Sequence, residues 1–158
     1  MKPTRLLGNV KKCVLAGGLL GAAFVPCIAT AALGEVEASV QADLAQLRGS
    51  IKVTERANYR VHEIQLPSGT VVREFAGLDG TVFAVAWSGP TVPNLRQTLG
   101  RYFDNYLTAA QANRLGHHQL QINQSDLVVH ASGHMRAFSG VAYLPPALPS
   151  GVAVAELH

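Results

Sequence analysis

The 158 residues carry 13 Lys plus Arg against 10 Asp plus Glu, but four of those cations, Lys2, Arg5, Lys11 and Lys12, crowd the first dozen positions. Without residues 1–31 the balance is nine to ten, a net charge of −1, which leaves no basic field for nucleic acid or an anionic membrane surface. Both cysteines, Cys13 and Cys27, go with that leader, so the remainder has no disulfide, no thiolate nucleophile and no cysteine metal ligand.

The N-terminus has the three parts of a secretory signal. A positive start is followed by an apolar run from Cys13 to Ile28, and Ala29-Thr30-Ala31 offers a small-x-small cleavage site. Gly17, Gly18, Gly21 and Pro26 interrupt the run, which is short of the about 20 residues a membrane span needs. Cys27 is a poor lipidation site, because Phe24-Val25-Pro26 lacks the small residue required before it. Residues 1–31 are therefore predicted to be a cleaved signal peptide, with no membrane span afterwards and a periplasmic or secreted product. The remaining length suits one domain, expected over 32–144.

Leu33 to Gly49 is predicted to be a first helix, on the spacing of Val36, Val40, Leu44 and Leu47. Ser50 to Thr54 suits a short strand or a linker. Asn58 to Leu66 begins a meander. Pro67-Ser68-Gly69 suits a three-residue hairpin loop, and Asp79-Gly80 a tight two-residue turn. These turns set a register. Ile64 faces Val72, Glu63 faces Arg73 and His62 faces Glu74; then Ala76 faces Phe83, Glu74 faces Val85 and Val72 faces Trp87. One side of the sheet then holds Ile64, Leu66, Val72, Ala76, Phe83, Val85 and Trp87, and is the predicted core face. The other holds Val71, Arg73, Phe75, Val82, Ala84, Ala86 and Ser88.

Gly89-Pro90 breaks the sheet and Pro93 suits a helix start. Leu95, Leu99, Tyr102 or Phe103, Tyr106 and Ala110 form a helical stripe, and Thr108 to Gln111 resembles a capping box opening a further short helix. Gln119 to Ile122, Asp126 to Ala131 and Met135 to Leu144 read as strands, the last two joined at Ser132-Gly133. The Pro-rich residues 145–158 are predicted to trail as a mobile tail. The expected class is α+β: an antiparallel meander extended by a C-terminal hairpin, with helices packed on one face.

The run from Leu66 to Glu74, then Asp79-Gly80-Thr-Val-Phe-Ala-Val-Ala-Trp87-Ser-Gly-Pro-Thr-Val-Pro-Asn-Leu95, resembles an uncharacterised family of exported bacterial proteins, domain of unknown function 2844. Ala32-Leu33-Gly34 resembles that family's start after the leader. The resemblance spans nearly all of the chain beyond residue 31. It implies export and a compact domain, and supplies no catalytic or binding residues.

Chemistry is weakly signalled. His62 and Glu74 form a cross-strand pair that reads first as a self-satisfied polar pair, and second as an acid–base or pH-sensitive pair at a pocket. His130 and His134 have metal-ligand spacing on a helix, but a hairpin turning at Ser132-Gly133 would send them to opposite faces, and no Glu follows His130. No Gly-x-Ser-x-Gly elbow, phosphate loop or dinucleotide fingerprint occurs. Tyr102, Phe103 and Tyr106 crowd one helix and pack into the core or form a patch for a partner. The sequence thus favours a non-catalytic binding or structural module of the cell envelope, with no cofactor or metal and no nucleic acid. Its partner is expected to be an envelope protein or a small apolar ligand, with His62, Glu74, Tyr102 and Tyr106 as candidate binding residues. The competing expectation is a periplasmic enzyme or metal-binding protein using His62 and Glu74, or His130 and His134.

Overall fold

The computed structural model describes residues 32–36, 50–112 and 119–157. Seven antiparallel strands form one sheet: β1 (Ser50–Glu55), β2 (Tyr59–Gln65), β3 (Val71–Gly77), β4 (Val82–Gly89), β5 (Gln119–Asn123), β6 (Val128–His134) and β7 (Ala137–Tyr143). Their spatial order is β1-β2-β3-β4-β7-β6-β5, so the meander and the later hairpin join where β7 lies beside β4. Between β4 and β5 runs one helical stretch, 95–112, made of α1 (Leu95–Leu99), a tight 3-10 turn (Gly100–Tyr102) and α2 (Phe103–Ala112). Among the described residues this is one helical run, not a set of helices on one face. No helix there is long and apolar enough to cross a membrane.

The first hairpin has the expected register. Ile64 pairs with Val72, Glu63 with Arg73 and His62 with Glu74, and the Arg73 Nε–Glu63 Oε2 ion pair closes at 2.8 Å. The second hairpin differs. Its loop is three residues, Leu78-Asp79-Gly80, closed by Gly77 N–H donating to Thr81 O at 2.9 Å, with Gly80 at φ 80°. Asp79 holds this loop by accepting from Thr81 N–H and Thr81 Oγ1, both at 3.0 Å. Those bonds favour the ionised carboxyl and keep its pKa below the ordinary carboxylate value. The extra loop residue is absorbed by a bulge, so Ala76 pairs with Val82, while Glu74 still faces Val85 and Val72 faces Trp87. The bulge exchanges two side chains: Val82 turns to the expected core face and Phe83 to the other.

That exchange gives the sheet two cores. On the first face Ile64, Val72, Val82, Val85, Trp87, Val129 and Ala142 pack beneath Leu33, Leu99 and the half-buried Leu95, Phe103 and Tyr106. On the second, Tyr59, Phe75 and Phe83 meet with ring centroids 6.0–6.3 Å apart, Tyr59 and Phe83 edge to face. Ala84, Ala86 and Val141 complete that layer under Val152 and Leu157. Residues 145–157 are accordingly no loose tail. Two 3-10 turns (Pro145–Ala147 and Val154–Leu157) fold them into a strap across the second face, fully burying Leu157. Tyr59 Oη donates to Glu156 Oε2 at 3.1 Å and Asn58 Nδ2 to Ser150 O at 3.2 Å. Burial, and then the Glu156 bond, raise the Tyr59 pKa above its ordinary value.

Local chemistry sets the remaining boundaries. Asn94 caps α1, accepting from Gln97 N–H at 3.4 Å, so Pro93 precedes the cap and is not in the first turn. Thr108 Oγ1 donates to Asp104 O at 3.0 Å inside α2, so no new helix starts there. Leu33 to Glu35 form a turn, not a helix, and Val36 bridges to Thr81; the rest of the predicted first helix, 37–49, lies outside the described residues. Leu33 N–H donates to Thr98 O and Gly34 N–H to Val82 O, at 3.2 and 2.7 Å, tying that turn between α1 and β4. The β6–β7 hairpin turns at Met135-Arg136, with Arg136 at φ 62°, and not at Ser132-Gly133. Gly133 stays in the strand because the Phe138 ring of β7 occupies the space a side chain would need.

Candidate functional site

The strap covers only part of the second face. Beyond it, β6 and β5 and the adjoining ends of β4 and β7 form an open groove of about 520 Å³. Small residues make this possible: Ala86 and Val141 are its buried apolar floor, and Ser88, Ser132 and Ser139 leave room above the backbone. Strand alternation brings the polar rim together. Arg73 stands on β3, His130 on β6, and Gln119 and Gln121 on β5, all projecting to the same side. Trp87, the chain's one tryptophan, borders the groove from the opposite face, where its ring lies over Gly140.

The rim is held by its own contacts. Arg73 is tethered to Glu63, which fixes the guanidinium and offsets its charge. His130 Nε2 lies 3.2 Å from Asn123 Oδ1 and 3.5 Å from Gln121 Nε2: with its proton on Nε2 the ring donates to Asn123, and with it on Nδ1 the ring accepts from Gln121. Ser132 and Ser139 hydroxyls share a bond at 3.1 Å across β6 and β7. These groups present amide, hydroxyl and cationic hydrogen-bonding atoms over an apolar floor. His130 Nε2 contacts side-chain amides, while the Ser132 and Ser139 hydroxyls contact each other.

The residues singled out from sequence fall elsewhere. His62 and Glu74 are indeed cross-strand neighbours, but on the first face, 4 % and 3 % exposed within the core, and neither lines the groove. Tyr102 and Tyr106 are half-buried against the first core, and burial raises the Tyr106 pKa. Phe75 is buried in the aromatic layer of the second face. His130 and His134 share one face of β6, a correction that follows from the shifted turn. Four strand residues apart is about 13 Å, too far for one metal ion, and among the described residues no cluster of three or more His, Cys, Asp or Glu side chains could hold one. Sequence reading missed Arg73, Gln119, Gln121 and the three serines as a group. The available signal was the run of small and polar residues recurring on alternate positions of β4, β6 and β7.

No curated protein and no solved structure matches the chain. The resemblance carried by the meander is matched by a family model covering residues 29–157, which takes in the strap as well as the sheet. The chain belongs to that family, the proteins of unknown function DUF2844.

Proposed function

We propose that this is an exported protein of the cell envelope, periplasmic or secreted, that acts as a binding module without chemistry of its own. The observation that carries the binding role is the groove. A sheet face covered on one half by the strap and left open on the other, with Arg73, His130 and Gln121 converging over Ala86 and Val141, has the composition of a ligand site. Its floor suits the apolar body of a small molecule and its rim suits that molecule's hydrogen-bonding groups. Export is supported by the leader's charge and apolar pattern and by its small-x-small site.

The binding test is a small-molecule screen read by Trp87 fluorescence and by amide NMR. A true ligand shifts the signals of Ser139, Val141 and His130, and loses affinity in His130→Ala and Gln121→Ala while binding His62→Gln unchanged. Ligands that act only through β2 or α2 would refute the groove. Export is tested separately by N-terminal sequencing of protein recovered from the envelope fraction: the expected start is Ala32, and retention of residues 1–31 refutes cleavage.

A further inference from the structure

The register lays one row of side chains straight across the groove. Arg73 pairs with Ala86, Ala86 with Val141 and Val141 with His130, one residue from each of four neighbouring strands. At the usual strand spacing the backbones of Arg73 and His130 stand about 14 Å apart, with only the buried Ala86 and Val141 between them. The adjoining row, Ser88, Ser139 and Ser132, carries no charge. Among the described residues that line the groove, Arg73 is the one side chain that is always charged, and there is no Asp or Glu. Glu63 engages Arg73 through Nε, at 2.8 Å, from outside the groove, and that contact does not use the two terminal Nη groups. Those nitrogens are the end of the fork that takes both oxygens of a carboxylate. The Arg73 side chain is 33 % exposed, so a ligand can reach it. Arg73 also borders a smaller cavity of about 180 Å³, where Glu63 and Glu156 stand beside Lys52 and Arg56. An anion entering there meets two carboxylates, and one entering the groove meets none.

We propose that the groove takes a small apolar monocarboxylate, its carboxylate on the Arg73 Nη groups and its hydrocarbon body laid over Ala86 and Val141 toward His130. A single negative charge suits the site. The one permanent cation is partly offset by Glu63, and the groove sets no second one beside it for a dianion such as a phosphate monoester. This deepens the binding reading and rests on the groove being the ligand site.

The test compares octanoate, octanamide and octyl phosphate on the full chain at neutral pH, with affinities from titration calorimetry and sites from amide NMR. Octanoate should bind about tenfold or more tighter than octanamide, which has the same body without the charge, and should shift the signals of Ser139, Val141 and His130. Octyl phosphate should bind no tighter than octanoate. Arg73→Gln should abolish the advantage of octanoate over octanamide, and Arg73→Lys, which keeps the charge and loses the fork, should retain only part of it. Lys52→Gln removes a cation outside the groove and should leave the advantage intact, with unchanged circular dichroism in all three variants. Equal affinities for octanoate and octanamide at the groove signals, tighter binding of octyl phosphate, or an advantage that survives Arg73→Gln overturns the carboxylate assignment and leaves the groove as the binding site. Failure of octanoate to bind overturns the assignment as well. Shifts confined to Tyr59 and Val152, at the strap, overturn the groove reading together with it.

Discussion

Gly140 and Trp87 divide one volume between two strands. They are directly paired across β7 and β4, and the indole occupies the space a Gly140 side chain would enter. Gly140→Ala should lower stability by about 1–3 kcal/mol through overpacking, measured by urea denaturation, and should cost less in a Trp87→Phe background, where the two effects are not additive. Tyr59 supplies a pH dependence. Its folded pKa is raised, so the stability it contributes is complete below the unfolded phenol value near 10 and is lost as pH climbs through the folded value. The thermal midpoint of the wild type should therefore fall more steeply above about pH 10 than that of Tyr59→Phe. At this scale the sequence was legible wherever opposite charges marked a register, as with Glu63 and Arg73. It named His130 only beside His134 as a candidate metal ligand; the Asn123 side chain becomes its neighbour once β5 and β6 align.

Among the elements, the β3–β4 hairpin shows what a turn signal can hide. Asp79-Gly80 does mark the corner, yet the loop holds one residue more than the favoured pair, and the bulge that absorbs it reverses Phe83. The sequence could not reveal this, since Phe83 and Val82 are equally apolar and either suits a core. Phe83→Ala should cost about 3–5 kcal/mol, because the ring is fully buried between Tyr59 and Phe75. Leu78→Ala, at the exposed tip of the same hairpin, should change stability by no more than about 0.5 kcal/mol. Chemical denaturation of the two variants measures the difference. The β6–β7 hairpin carries the same lesson. Ser132-Gly133 has turn composition, but the glycine is there to admit the Phe138 ring, and the reversal falls at Met135-Arg136.

For the whole molecule, the sheet's two covers have different origins. Periodicity revealed the helical run over the first face, since Leu95, Leu99 and Tyr106 recur at helical spacing. The strap over the second face has no periodicity to read; its prolines mimic a chain end, and only the aromatic layer beneath explains why it packs. The groove was illegible for the same reason, being the part of that face the strap leaves open. A chain ending at Leu144 should uncover Tyr59, Phe75 and Phe83, bind a hydrophobic dye and melt at a lower temperature than the full chain. β4 also matters in time. It is the one strand shared by the early meander and the late hairpin, and Trp87 and Gly140 stand 53 positions apart along the chain. Each half can zip from its own turn within microseconds, whereas docking them must first close that long loop against its entropy. Loop-closure entropy therefore predicts that the ladder between β4 and β7 forms after the two hairpins, and a stopped-flow trace in which Trp87 fluorescence reports native packing no later than the hairpins form would refute it.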